Sequence, residues 1–178
     1  MPVAATFPRD GNYVPITSMG LVTKKEVTLT ASNTTASNVL FKVTGSVQVV
    51  ALYGIVTTAL SNNITAAHWR LDDQTAQPAI TLATGTTLSS FAVGSFISRR
   101  SLVSVALVGT NSSAGAVVDP VAATAPGYFM PFVVVQKTAD VLTTIDFRYT
   151  TTNTPATGAI TFYAGWVPLT EGSTLEAV

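Results

Sequence analysis

Between Val141 and Thr150 the side chains alternate in character, with Ile145, Phe147 and Tyr149 on one parity and Thr144, Asp146 and Arg148 on the other. A period of two sends successive residues to opposite faces of an extended strand, so one face can enter a core while the other meets solvent. Val27, Leu29 and Ala31 repeat the pattern against Glu26, Thr28 and Thr30. Gly158–Val167 carries it in a more apolar form. There Ile160, Phe162, Ala164 and Trp166 make one row and Ala159, Thr161, Tyr163 and Gly165 the other, which predicts a strand covered on both faces.

Threonine, serine, valine and alanine dominate the rest of the chain, and β-branched residues suit a pleated, half-buried surface. Further strands are expected at Val39–Val43, Val47–Thr57, Ala67–Leu71, Ala79–Ala83, Thr87–Val93, Leu102–Val108 and Pro131–Gln136. Turn chemistry separates them at Thr44-Gly45-Ser46, Ser61-Asn62-Asn63, Thr84-Gly85-Thr86, Gly109-Thr110-Asn111 and Asn153-Thr154-Pro155. Eight to ten strands without a convincing amphipathic helix predict an all-β fold, a β-sandwich. A jelly roll is the expected topology and an immunoglobulin-like sandwich the runner-up. Residues 1–22, broken by Pro2, Pro8, Pro15, Gly11 and Gly20, read as an extended N-terminal arm; residues 23–178 read as the sandwich domain.

Only 10% of the 178 residues are charged while 47% are apolar, and nine acids balance nine bases. An ordinary soluble domain is about 25% charged. A net charge of zero removes the self-repulsion that keeps monomers apart, so other subunits are expected to cover much of the surface. The chain has no cysteine, which excludes thiolate metal sites, cysteine nucleophiles and disulfides. Its scattered lysines and arginines form no stripe along which a phosphate backbone could run, so nucleic acid is not an expected partner. Val47–Leu60, the most apolar stretch, is too short and too polar to cross a bilayer, and Met1–Asp10 lacks the basic and apolar regions of a secretory signal.

No catalytic constellation emerges, and neither enzyme activity nor a cofactor is expected. His68, the lone histidine, precedes Trp69-Arg70-Leu71-Asp72-Asp73, but no second histidine or spaced carboxylate supports a metal or proton-transfer role. Strand followed by turn is the better reading. Arg99 and Arg100, paired in so uncharged a chain, are candidates for anchoring a carboxylate of a neighbouring subunit. Thr110–Gly115, within a stretch to Tyr128 rich in alanine, glycine, serine and proline, reads as a loop. The arm is the most informative candidate. Phe7, Pro8, Arg9, Asp10, Gly11, Asn12, Tyr13, Val14 and Pro15 set two aromatics, an Arg–Asp pair and a turn between rigid prolines, outside any core of their own, which suits docking onto another chain.

Pro8 to Pro15 resembles a short leader near the start of bacteriophage structural proteins, and Leu40–Val47 leading into Leu52–Thr58 is similar to small β-domains encoded among phage head and tail genes. The resemblance covers under a fifth of the chain. It implies a component of the mature particle, such as a capsid decoration or cement protein, located in the virion and bound to the major capsid protein or another virion protein. It also implies self-association, with a homotrimer the expected form, and it supplies no catalytic residue. A second expectation is a receptor- or carbohydrate-binding module at a tail or fibre tip, for which Tyr53, Trp69, Tyr128 and Trp166 are the candidate rings.

Overall fold

Two antiparallel sheets pack face to face in the computed structural model, which describes residues 20–72, 80–83, 85–99, 108–110, 131–137 and 142–178. Among these residues there is no helix, and the β-sandwich expected from the alternation is what forms. The strands are β1 (Leu21–Thr28), β2 (Thr35–Thr44), β3 (Ser46–Thr58), β4 (Ile64–Asp72), β5 (Ile80–Thr81), β6 (Phe96–Ser98), β7 (Val108–Thr110), β8 (Phe132–Val135), β9 (Thr143–Thr151), β10 (Ala159–Pro168) and β11 (Thr174–Ala177). One sheet runs β1-β10-β3-β6-β7, with β8 pairing a second part of β3; the other runs β11-β2-β9-β4-β5.

The chain changes sheet at each of its first three connections, and early strands lie beside late ones, β1 against β10 and β2 against β9. Gly45 makes one of those crossings. It sits at φ +68, and a Cβ would lie 2.5 Å from Ser173 Oγ, the atom that accepts a hydrogen bond from the Ser46 amide. Turn residues at this position therefore steer the chain from one layer to the other and do not close a hairpin.

The core lies between the sheets and is held by rings from both. Trp69 and Phe147 on the five-stranded sheet meet Phe162 on the six-stranded one, with Phe147 and Phe162 centroids 4.7 Å apart and Trp69 edge-on to each at 6.2 Å. Such pairs add about 0.5–1.5 kcal/mol each to what area burial provides. Phe162 also covers Gly54, its registered neighbour on β3; a Cβ there would lie 3.1 Å from the ring and 2.9 Å from Ile160. That glycine makes the space the ring fills.

Several sequence expectations need correction. Residues 1–22 were expected as the arm, but β1 begins at Leu21, and Leu21 and Val22 pair with Trp166 and Gly165. Residues 1–19 lie outside the described residues. Thr87–Val93 is not a strand. Leu88 and Ser90 donate to the Ile64 and Ser61 carbonyls alongside β4, but Ser90 at φ +60 and a bulge at Ala66, at φ +49, break the ladder. Of the range Ala79–Ala83, Ala79 lies outside the described residues, and among the rest Ile80–Thr81 pairs as a strand while Leu82 and Ala83 turn inward and are buried. Of Leu102–Val108 only Val108 is described, at the start of β7, and Gly109 and Thr110, expected in a turn, continue that strand opposite Ile97 and Phe96. Two strands carry no sequence expectation, the three-residue β6 and the four-residue β11.

Candidate functional site

The two outer faces of the sandwich differ sharply in chemistry. On the five-stranded sheet the outward residues of β9 are Thr144, Asp146, Arg148 and Thr150, flanked by Ser37 and Lys42 on β2 and by His68, Arg70 and Asp72 on β4. Asp146 is the hub. Its carboxylate accepts from Thr144 Oγ1 at 2.7 Å and Ser37 Oγ at 3.1 Å, and Arg70 Nη2 lies 3.4 Å away. Arg70 makes a closer pair with Asp72 at 2.7 Å. The face of β9 expected to meet solvent is thus closed over at Thr144 and Asp146, which are 0% and 1% exposed, because neighbouring strands supply partners on both sides. His68 fits its strand reading. It points outward beside Arg148, and its Nδ1 donates to the Ala66 carbonyl at 2.7 Å, bridging the bulge. Among the described residues no group of three or more histidines and carboxylates is placed to hold a metal ion.

The outer face of the six-stranded sheet sets aromatic and aliphatic side chains among a few polar ones. Two rows cross it in register: Lys24 beside Tyr163 beside Tyr53 beside Ser98, and Glu26 beside Thr161 beside Ile55 beside Phe96. The rings form a stack, Tyr53 and Tyr163 with centroids 5.0 Å apart and planes 11° apart, Tyr53 and Phe96 at 5.4 Å and 27°. Val133 and Val135 on β8 extend the face and are 53% and 60% exposed. Burial within the stack, followed by the neighbouring Tyr163 phenol, raises the pKa of Tyr53 above its ordinary value.

Arg99 is held inside the domain. It is 7% exposed, its Nε donates to the Leu82 carbonyl at 2.9 Å, and its guanidinium lies 4.5 Å from the centroid of the Phe132 ring. Burial lowers its pKa. An anchor for a neighbouring subunit would have to be exposed, so this residue belongs to the fold. Arg100, the docking residues Phe7 to Pro15, Tyr128 and residues 111–115 lie outside the described residues.

The rings considered for glycan recognition divide in the same way. Trp69 is fully buried, and Trp166, 6% exposed, donates its indole N–H to Thr23 Oγ1 at 3.0 Å. Tyr53 has Tyr163 on one side and Phe96 on the other, so both ring faces are taken and its edge points outward. Sequence alone does not join Tyr163, Phe96, Val133 and Val135 into one surface, since they come from three strands distant in the chain. Compared with family models, curated proteins and solved structures, the chain matches none.

Proposed function

We propose that this chain is a non-enzymatic structural protein of a bacteriophage virion, a capsid decoration or cement protein that self-associates and attaches to the particle through residues 7–15. The observation that carries this reading is the outer face of the six-stranded sheet, where Tyr53, Tyr163, Ile55, Phe96, Val133 and Val135 stand where an antiparallel sheet facing water would carry polar groups. The low charge of the whole chain supports it. The alternation between sheets, with β1 beside β10 and β2 beside β9, supports a jelly-roll topology, a common fold of virion shells.

Stabilisation of a shell by such a protein is linkage. A chain that binds assembled subunits and not dissociated ones shifts the equilibrium toward the shell by RT ln(1 + [L]/Kd) for each site, about 2.7 kcal/mol at a hundredfold excess over Kd. The test is co-sedimentation of the purified chain with phage shells that lack it, using the full chain and one shortened by residues 1–19, which leaves β1 whole. The full chain is expected in the pellet and the shortened one in the supernatant with its fold intact. A full chain that stays in the supernatant sinks the virion reading; a shortened chain that pellets equally well removes the arm from it.

A further inference from the structure

We propose that the outer face of the six-stranded sheet docks a second copy of this chain, across a two-fold axis that sets Lys24 of each copy against Glu26 of the other. The proposal rests on the assembly reading above and deepens it by naming the surface and the partner. The five-stranded sheet has the polar outer face expected of an antiparallel sheet in water, with Ser37, Lys42, His68, Arg70, Asp146 and Arg148. On the six-stranded sheet Tyr163, Tyr53, Ile55, Phe96, Val133 and Val135 take outward places among fewer polar residues.

The charges left on this face identify the occupant. Among the described residues, Lys24 and Glu26 are the only outward charges its strands carry, one of each sign, on the same strand and two residues apart. A nucleic acid or a strongly charged protein would find one charge of the right sign and one of the wrong sign. A second copy supplies both in matched positions. A two-fold axis lying between the two registered rows and running across the strands turns one row onto the other, so that Lys24 meets Glu26, Tyr163 meets Thr161 and Tyr53 meets Ile55 of the second copy. Each such contact occurs twice, as a closed isologous interface requires. The apolar centre is buried and the ion pairs lie at the β1 rim, the distribution found in stable interfaces.

Association through the free edge of β1 is the competing arrangement, and the sequence of that strand opposes it. Lys25 points inward between the outward Lys24 and Glu26, and in the edge-to-edge register that pairs Lys24 with Glu26 the two copies' Lys25 side chains would face one another. An inward charge on an edge strand is a recognised guard against strand addition. The geometry closes as a dimer, where the sequence resemblance implied a trimer.

The experiment is the mass of the full chain by sedimentation equilibrium across a concentration series. Wild type is expected as a dimer. Lys24→Glu and Glu26→Lys, each of which sets like charges together, should each raise the dissociation constant tenfold or more, and the double variant should return it to within a few-fold of wild type. Ile55→Glu should give a monomer, whereas Thr35→Asp, on the outer face of the other sheet, should leave the dimer intact. A monomeric or three-fold wild type, no rescue in the double variant, or equal sensitivity to Thr35→Asp would overturn the proposal. Shell co-sedimentation separates it from the virion reading: a monomer that still decorates shells sinks only this interface, and a dimer that ignores shells sinks only the virion assignment.

Discussion

Arg70 on β4 and Asp146 on β9 stand opposite one another in register, and the Arg70 guanidinium reaches two carboxylates, Asp146 at 3.4 Å and Asp72 at 2.7 Å. The shorter contact is not the one that matters more to stability. The Asp146 side chain is 2% exposed against 17% for Asp72, and Asp146 also accepts from Ser37 and Thr144. Removing a buried carboxylate leaves its donors without an acceptor, whereas a partly exposed ion pair is offset by hydration of its separated ends. Asp146→Ala is expected to cost about 3 kcal/mol and Asp72→Ala about 1 kcal/mol or less. Urea unfolding of the two variants checks the order, and equal losses would mean that the network does not centre on Asp146.

Asp146 also marks where sequence reading stops. The alternation in β9 gave the strand, its parity and its core residues Ile145, Phe147 and Tyr149, all of which are buried. It could not give the fate of the polar parity, because whether Asp146 meets water or Arg70 depends on a strand that is neighbouring in space and distant in sequence. The same holds for the aromatic face. Tyr53 and Tyr163 each read as one residue of an alternating strand, and only the β3–β10 register stacks them. Short strands failed for another reason. Phe96–Ser98 spans too few residues for a period to register, and pairing with Tyr53–Ile55 of the long strand β3 is what extends it.

Two glycines in the left-handed half of backbone space separate steric need from conformational preference. Gly158 lies at φ +113, and a Cβ would sit 2.7 Å from the Ala59 carbonyl oxygen and 2.7 Å from Leu60 Cδ2. Gly172 lies at φ +74 with nothing within 4 Å of the same position. Gly172→Ala should therefore cost about 1 kcal/mol, the backbone preference alone. Gly158→Ala must displace main chain as well and should cost about 3 kcal/mol or more, with loss of the Leu29 amide bond to the Gly158 carbonyl now at 2.9 Å. Thermal midpoints of the two variants measured side by side decide this, and equal shifts would contradict it.

Ala66 is the converse case, a residue with a Cβ held at φ +49 by the bulge that interrupts the pairing of β4 with β9. Its side chain is exposed and makes no core contact, so the substitution Ala66→Gly removes strain without opening a cavity. The left-handed conformation costs an alanine about 1–2 kcal/mol relative to the right-handed one, part of which glycine returns as unfolded-state entropy. A net gain of about 0.5–1 kcal/mol is expected in urea unfolding. A loss would show that the alanine methyl contributes to the bulge.

The Tyr53–Tyr163 stack has a consequence for stability in alkali. Burial and the adjacent phenol hold the pKa of Tyr53 above 10.0 in the folded chain, while in the unfolded chain it returns to that ordinary value. Below pH 10 both states keep the proton, and the residue adds no pH dependence. As the pH rises past 10 the unfolded chain ionises first and binds fewer protons than the folded one, so stability falls, and it goes on falling until the folded phenol ionises too. Tyr53→Phe removes the ionisable group and keeps a ring for Tyr163 and Phe96 to stack on. The variant should match wild type to within about 1 kcal/mol at neutral pH and lose stability less steeply above pH 10. Urea midpoints followed from neutral pH into the alkaline range check both parts. Identical alkaline slopes for the two proteins would mean that the phenol ionises as readily in the stack as it does in water.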